Sequence, residues 1–382
     1  MYLPDYRGGS IVNLMSSIGK ARGARMKYKE LRLLPAKDIR NAKSIVLINV
    51  DGLGYEFLKR RCKGSSLERH CMGRMTSVFP STTAAATTCF STGSPAQQHG
   101  MTGWFMFVKE LGEVIIPLPF VTRMGHNDLR HIARHRDLFD ITPFADRIRT
   151  ASYTVMPADL CGTPFTKTIA GRSKIVPCVS LAAMGRSIAA LTKRRGRKYV
   201  YAYIPTLDHE SHERGTTHPG TLAEFRRIDA TFTRLVASVA EDTVLIVTAD
   251  HGEKDIPVKG RVALWKHPRL QKMLLLPLCA EPRLAFCYVR PDKRKEFERY
   301  VRTRLRHCCT LRKSQELVDK GWFGLFRPHR ALSERIGDYT LIMKEGYAIR
   351  DRLLGEERHF NKADHGGVSK EEMRVPLIIA RT

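Results

Sequence analysis

Four short apolar runs stand out along the chain, and each lies beside residues that can do chemistry. Ser44-Ile45-Val46-Leu47-Ile48-Asn49-Val50 leads into Asp51-Gly52, and Tyr199-Val200-Tyr201-Ala202-Tyr203-Ile204 is followed shortly by Asp208. Val244-Leu245-Ile246-Val247-Thr248 leads into Ala249-Asp250-His251-Gly252. Val375-Pro376-Leu377-Ile378-Ile379-Ala380 comes just after Asp364-His365-Gly366-Gly367. Runs that are apolar throughout, rather than alternating, predict strands buried on both faces and hence a parallel sheet. Between them the period becomes helical. From Leu222 the apolar positions are Phe225, Ile228, Phe232, Leu235, Val236 and Val239, which form one stripe of an amphipathic helix. Strand alternating with helix predicts an α/β, doubly wound fold with a mostly parallel sheet flanked by helices. Ligands in such folds gather beyond the carboxyl ends of the strands, where these Asp and His residues fall.

Residues 259–345 break the alternation. They hold a strand expected at Arg283 to Val289, a basic helical stretch from Lys295 to Arg306, and the turn Gly321-Trp322-Phe323-Gly324-Leu325-Phe326. The last His motif and the last strand follow this stretch. It therefore reads as an inserted α+β cap subdomain (259–345) in a catalytic core made of 1–258 and 346–382. A chain of 382 residues, 43% hydrophobic, is long enough for that arrangement.

Charge changes the picture more than composition does. Sixty-five Lys and Arg against 38 Asp and Glu give a formal net charge of +27, which suits anionic partners: a phosphate ester, nucleic acid or a lipid surface. The densest clusters are Lys193 to Lys198 and Lys293 to Arg306. Nine cysteines show no framework spacing and no C-x-x-C pair, as expected of reduced thiols in a cytoplasmic protein. The start Met1-Tyr2-Leu3-Pro4-Asp5 has no apolar core of a secretory signal, and no apolar run approaches the ~18 residues of a membrane span.

Asp51, Asp208 with His212, Asp250 with His251, and His365 come from separate strand ends. Asp208 and His212, four apart, share a face if the segment is helical. Each alone reads as a turn or cap residue. Together, three Asp and three His could serve two divalent ions, and carboxylate with imidazole suits zinc. The second feature is Phe79-Pro80-Ser81-Thr82-Thr83-Ala84-Ala85-Ala86. Pro80 ends one element and the alanines favour a helix, so a Thr here reads either as an N-cap or as a hydroxyl beside a phosphate held by helix N–H groups. No phosphate-binding G-x-x-x-x-G-K-[ST] loop, dinucleotide fingerprint, zinc-finger spacing or G-x-S-x-G elbow occurs.

These residues resemble the alkaline phosphatase superfamily, in its type I phosphodiesterase/nucleotide pyrophosphatase branch. The matching motifs are Val50-Asp51-Gly52, Phe79-Pro80-Ser81-Thr82-Thr83, Ser91-Thr92-Gly93, His99-Gly100, Asp208-x-x-x-His212-x-x-Gly215, Thr248-Ala249-Asp250-His251-Gly252 and His365-Gly366, from about residue 44 to the C-terminus. The resemblance implies two zinc ions and a phosphothreonine-type intermediate. Thr83 would be the nucleophile, with Thr82 its neighbouring competitor. Asp208, His212 and His365 would hold one ion; Asp51, Asp250 and His251, with the Thr83 oxygen, would hold the other. Two such ions clamp the attacking and leaving oxygens of an in-line displacement. Two positions depart from the branch: Ala86 stands where an Asn holds a phosphoryl oxygen, and Ala84 stands in place of an aromatic. Thr87 or backbone amides are the available substitutes, and Trp104 with Phe105 could wall a base or pack in the core.

The expected function is metal-dependent hydrolysis of a phosphoric ester: a phosphodiester, a nucleotide pyrophosphate or a phosphomonoester. The alternative is a basic nucleic-acid-binding protein with a vestigial or structural metal site, although no nucleic-acid module is recognisable.

Overall fold

The computed structural model describes residues 1–139 and 141–382. Eleven strands matter here. Seven make the central sheet: β1 (Ser44–Val50), β2 (Cys71–Thr76), β3 (Ala151–Pro157), β4 (Lys174–Cys178), β5 (Lys198–Ile204), β6 (Thr243–Thr248) and, at the end of the chain, β11 (Arg374–Arg381). The remaining four, β7 (Cys279–Glu281), β8 (Leu284–Cys287), β9 (Cys309–Lys313) and β10 (Tyr339–Met343), form a separate antiparallel sheet.

The central order is β2-β11-β6-β1-β5-β3-β4. β6, β1, β5, β3 and β4 run parallel. Every residue of β1 and β6 is buried, which is why both read as unbroken apolar runs. The C-terminal run corrects one expectation. β11 is antiparallel to both β6 and β2, because the chain re-enters the sheet from the edge where its parallel neighbours end. Continuous burial gives the same apolar pattern for either direction, so periodicity alone does not separate them.

The stripe begun at Leu222 belongs to the helix Pro219–Val236, which buries Thr221, Phe225, Ile228, Phe232 and Leu235 against the sheet. Pro219 stands in its first turn, where its missing N–H costs nothing, and the His218 side chain accepts from the Gly220 N–H. Val239 falls beyond the helix end.

Register places the site. Asn49 of β1 lies beside Tyr203 of β5 and Thr248 of β6, so the segments that follow all three strands emerge at one edge. The sheet β7-β8-β10-β9 and the helix Arg294–Arg304 enclose their own apolar cluster around Phe297, Val301, Leu305 and Leu341. A further small sheet, Met106–Val108, Glu113–Ile116 and Val121–Thr122, covers a third cluster around Phe120, Phe139 and Phe165, whose short strands leave no clear apolar run in the sequence. All nine cysteines are free. No helix among the described residues is long and apolar enough to cross a membrane.

Candidate active site

Asp51 leaves β1 in a turn that only glycine fits closely. Gly52 has φ +74°, and a Cβ there would lie 3.1 Å from Asp208 Cα. Its absence lets the Asp51 turn approach the helix Thr206–Arg214, which carries Asp208 and His212 on one face. Gly252 is tighter still: a Cβ would meet the Glu371 carbonyl oxygen at 2.2 Å and Gly54 Cα at 2.6 Å. Asp250 and His251 precede it in the segment after β6, and His365 arrives on the loop before β11.

The structure brings Asp51, Thr83, Asp208, His212, Asp250, His251 and His365 to this one edge. His251 Nε2 lies 3.3 Å from Asp51 Oδ1, 3.6 Å from Asp250 Oδ2 and 3.1 Å from Thr83 Oγ1. Asp208 lies 3.4 Å from His212 Nε2 and 3.9 Å from His365 Nε2. The His251 and His365 rings stack with centroids 3.8 Å apart. Asp51, Asp250, His251, His365 and Thr83 are buried; Asp208 and His212 are half-buried. Asp208 meets His212 and His365 in two overlapping groups rather than one: Asp208, His251 and His365, and Asp208, His212 and Glu253. Asp51, Asp250 and His251 form a third.

What converges is acceptors. His251 Nδ1 faces the Gly252 carbonyl at 3.1 Å and His212 Nδ1 faces that of Ala363 at 2.7 Å. With Nδ1–H donating there, each ring turns an Nε2 lone pair inward. Asp51 Oδ1, Asp208 Oδ1 and Asp250 Oδ2 are buried without a hydrogen-bond donor. Burial, then Asp250 and Asp208, push the Asp51 carboxyl well above the usual range, and burial raises Asp250 as well. Buried acceptors facing one another without donors are unfavourable unless a cation lies between them, and nitrogen with oxygen is a donor set for a transition-series divalent ion. The residues present fit a metal.

The two threonines differ. Thr83 opens the helix Thr83–Thr92 with its hydroxyl toward His251, whereas the Thr82 hydroxyl donates to Glu281 Oε1. Thr82 is the N-cap residue by position, but its side chain makes no cap bond, so the first-turn amides stay available to an anion. Ala86 is completely buried and offers nothing to a phosphoryl group. Thr87 lines the cavity beside Thr83, and its hydroxyl donates to the Thr83 carbonyl at 2.6 Å.

Four participants had weak signals or none in the sequence. Tyr203 donates to Asp51 Oδ2 and is the last of three alternate tyrosines on β5. Glu253, one residue past the Asp250-His251-Gly252 motif, is 7% exposed, and neither carboxylate oxygen has a hydrogen-bond partner. Asp364 is buried 3.8 Å from His212 Nδ1. Glu281 comes from β7, far in sequence from every motif.

A cavity of about 500 Å³ opens beside Thr83 and Asp208. Trp104, Leu118, Met156, Phe165, Ile169 and Tyr201 give it apolar walls, Asp159 contributes a carboxylate, and no Lys or Arg lines it. Trp104 stands in this wall, 38% exposed; Phe105 does not, because its ring underlies the Arg123 guanidinium at 4.0 Å.

Comparison with known proteins agrees with this geometry. The profile of the type I phosphodiesterase/nucleotide pyrophosphatase family matches residues 45–368. No curated protein matches by sequence. Murine ectonucleotide pyrophosphatase/phosphodiesterase 5 is similar in fold, with 18% identity over 88% of each chain and a TM-score of 0.66. Its inactive variant in complex with AMP is similar over 87% of each chain, with 18% identity and a TM-score of 0.65. Phosphonoacetate hydrolase from Sinorhizobium meliloti 1021, in complex with phosphonoformate, has 16% identity over 89% of this chain and 91% of that one, with a TM-score of 0.64. The match of a single family profile across most of the chain, on a fold that gathers its Asp and His motifs at one sheet edge, places this protein in the type I phosphodiesterase/nucleotide pyrophosphatase family of phosphoric-ester hydrolases, within the alkaline phosphatase superfamily.

Proposed function

We propose that Thr83 is the nucleophile of a phosphoric-ester hydrolase and that Asp51, Asp250 and His251, with Asp208, His212 and His365, hold two divalent ions, most suitably zinc. The observation that carries this reading is the Thr83 hydroxyl, buried at a helix start 3.1 Å from His251 Nε2 and facing carboxylates that lack donors. Such ions, when bound, neutralise the carboxylates and lower the pKa of the hydroxyl and of water beside them. Thr83 Oγ loses its proton and bonds to phosphorus as the ester P–O bond breaks, and the departing alkoxide takes up a proton. Water then cleaves the P–Oγ bond, restores the threonine and releases the phosphorylated product. Helix amides at Thr83 and Ala84 offer N–H groups to a phosphoryl oxygen in place of the side chain missing at position 86. Thr82 is occupied by Glu281, which supports Thr83 over its neighbour.

The cavity supports an ester with a sizeable apolar or aromatic substituent, such as a nucleoside, over a carboxylate-bearing phosphonate, since no cation lines it. The donor-poor cluster supports a working metal site rather than a vestigial one. Nine free thiols support a cytoplasmic setting. The test is release of p-nitrophenol from p-nitrophenyl phosphate, bis(p-nitrophenyl) phosphate and the thymidine 5′-monophosphate p-nitrophenyl ester, with Zn²⁺ or Mn²⁺ added. Metal-dependent release, fastest for the thymidine ester, is expected. Faster turnover of phosphonoacetate than of any of the three would overturn the substituent reading.

A further inference from the structure

The basic surplus is unevenly placed. Along the helix Arg294–Arg304 much of it is paired: Arg294 with Asp338 at 2.7 Å, Arg302 with Glu298 at 3.7 Å, and Lys293 with Glu296 at 3.7 Å. In the other cluster Lys198 is turned inward, its Nζ donating to the carbonyls of Arg194 and Gly196 at 2.6 Å each.

Arg197 of that cluster borders a cavity of about 480 Å³. Lys20, Arg22, Arg40, Arg149 and Arg197 line it, and no carboxylate does. Lys20 pairs with Glu30 at 3.2 Å. Arg40 lies near enough to the same Glu30 to help hold its carboxyl down, and Arg149 and Arg197 form no ion pair among the described residues. Arg22 is 2% exposed; its guanidinium donates to the Ala42 carbonyl at 2.8 Å, while its Nε meets no acceptor. Burial first, and Arg197 second, hold that guanidinium down to about 10. Thr150, also in the lining, has a hydroxyl without a partner. Five cations gathered near the single carboxylate of Glu30 leave a surplus of positive charge, and a fork-shaped donor set of this kind matches phosphate oxygens.

The cavity is remote from the catalytic edge. Arg197 immediately precedes the seven residues of β5, and Asp208 follows its far end; at ~3.3 Å per residue that is roughly 20 Å.

We propose that this cavity is a second anion site, for a compact polyphosphate: an inorganic polyphosphate or a small solute carrying clustered phosphates. Its size exceeds a single phosphate. Its lining contains no aromatic side chain on which a nucleobase could stack, and Tyr153 in the adjoining depression is buried, which argues against a nucleic-acid strand. The site does not depend on the catalytic reading.

The test is calorimetric titration of the whole protein with tripolyphosphate and, separately, with orthophosphate. It uses wild type, Thr83→Ala, and the exposed pair Arg149→Gln/Arg197→Gln, with thermal unfolding as a control on folding. The expected result is saturable tripolyphosphate binding that Thr83→Ala retains and the arginine pair weakens at least tenfold. Orthophosphate should bind at least tenfold more weakly. The single variant Arg40→Gln provides a second reading, with a loss of threefold or more. Equal affinity in wild type and the arginine pair would overturn the proposal. So would a single-stranded oligonucleotide whose binding needs the same arginines and is not displaced by tripolyphosphate.

Discussion

Arg283 and Glu372 tie the β7-β8-β10-β9 sheet to the edge that carries His365, and breaking that pair has a calculable effect. They are 1% and 0% exposed, with contacts of 3.0 Å from Nε and 2.8 Å from the terminal nitrogen. Glu372 also accepts from the Gly367 N–H at 2.8 Å and the Ser369 N–H at 3.2 Å, so it shapes the loop just after His365. Arg283→Met leaves a buried carboxylate without its cation, a loss of about 3–5 kcal/mol. An unfolding entropy of about 2.1 cal/mol/K per residue over 382 residues turns this into a fall of about 4–6 °C in Tm. Acid dependence separates the electrostatic cause from lost packing. Burial raises the Glu372 carboxyl, but Arg283 together with the Ser369 and Gly367 hydrogen bonds outweighs it and the net shift is downward. The pair's contribution is therefore present above the unfolded pKa of Glu and is lost as pH falls through the folded value. In Arg283→Met the folded pKa lies above the unfolded one, so acidification from pH 7 to 5 narrows the gap to wild type. The double variant Arg283→Met/Glu372→Leu should recover part of the loss, leaving about 1–3 kcal/mol for the two stranded N–H groups. Thermal unfolding at both pH values is the assay. A single variant within 1 °C of wild type, or a gap that does not change with pH, would refute the reasoning.

Two further outcomes follow from the site. Tyr203→Phe removes the donor to Asp51 Oδ2 and should weaken metal affinity by about 10–100-fold, measured by competition with a chelator; unchanged affinity would mean the phenol does not orient that carboxylate. Burial pushes Glu281 up to about 7, against an unfolded value near 4.5, so its stabilising share is complete below 4.5 and lost as pH rises through 7. Glu281→Gln keeps an acceptor for Thr82 and Trp104 and should gain up to about 3 kcal/mol relative to wild type between pH 5 and 8, read from denaturant unfolding; parallel pH curves would count against a neutral Glu281.

Much of this site is legible in the amino-acid pattern, because parallel strands buried on both faces read as plain apolar runs and place Asp51, Asp208 and Asp250 at one edge. His365 is legible only through its motif, since the strand after it runs the other way. Long-range partners leave no local trace. Glu281 reaches Thr82 from a different sheet, and Arg283 finds Glu372 across 89 positions. Glu253 follows a recognisable motif, yet only the glycine-permitted approach of the Asp51 turn to Asp208 brings it to the cluster. Trp104 and Phe105, identical in promise along the chain, part company: Trp104 lines the cavity, while the Phe105 ring lies under the Arg123 guanidinium.

The most direct test of the catalytic claim compares Thr83→Ala with Thr82→Ala on the thymidine 5′-monophosphate p-nitrophenyl ester, with saturating Zn²⁺ and again after chelation. The account predicts that Thr83→Ala loses at least a thousandfold in kcat, that Thr82→Ala keeps kcat within tenfold, and that chelation silences wild type. Full turnover by Thr83→Ala, or loss confined to Thr82→Ala, would contradict it.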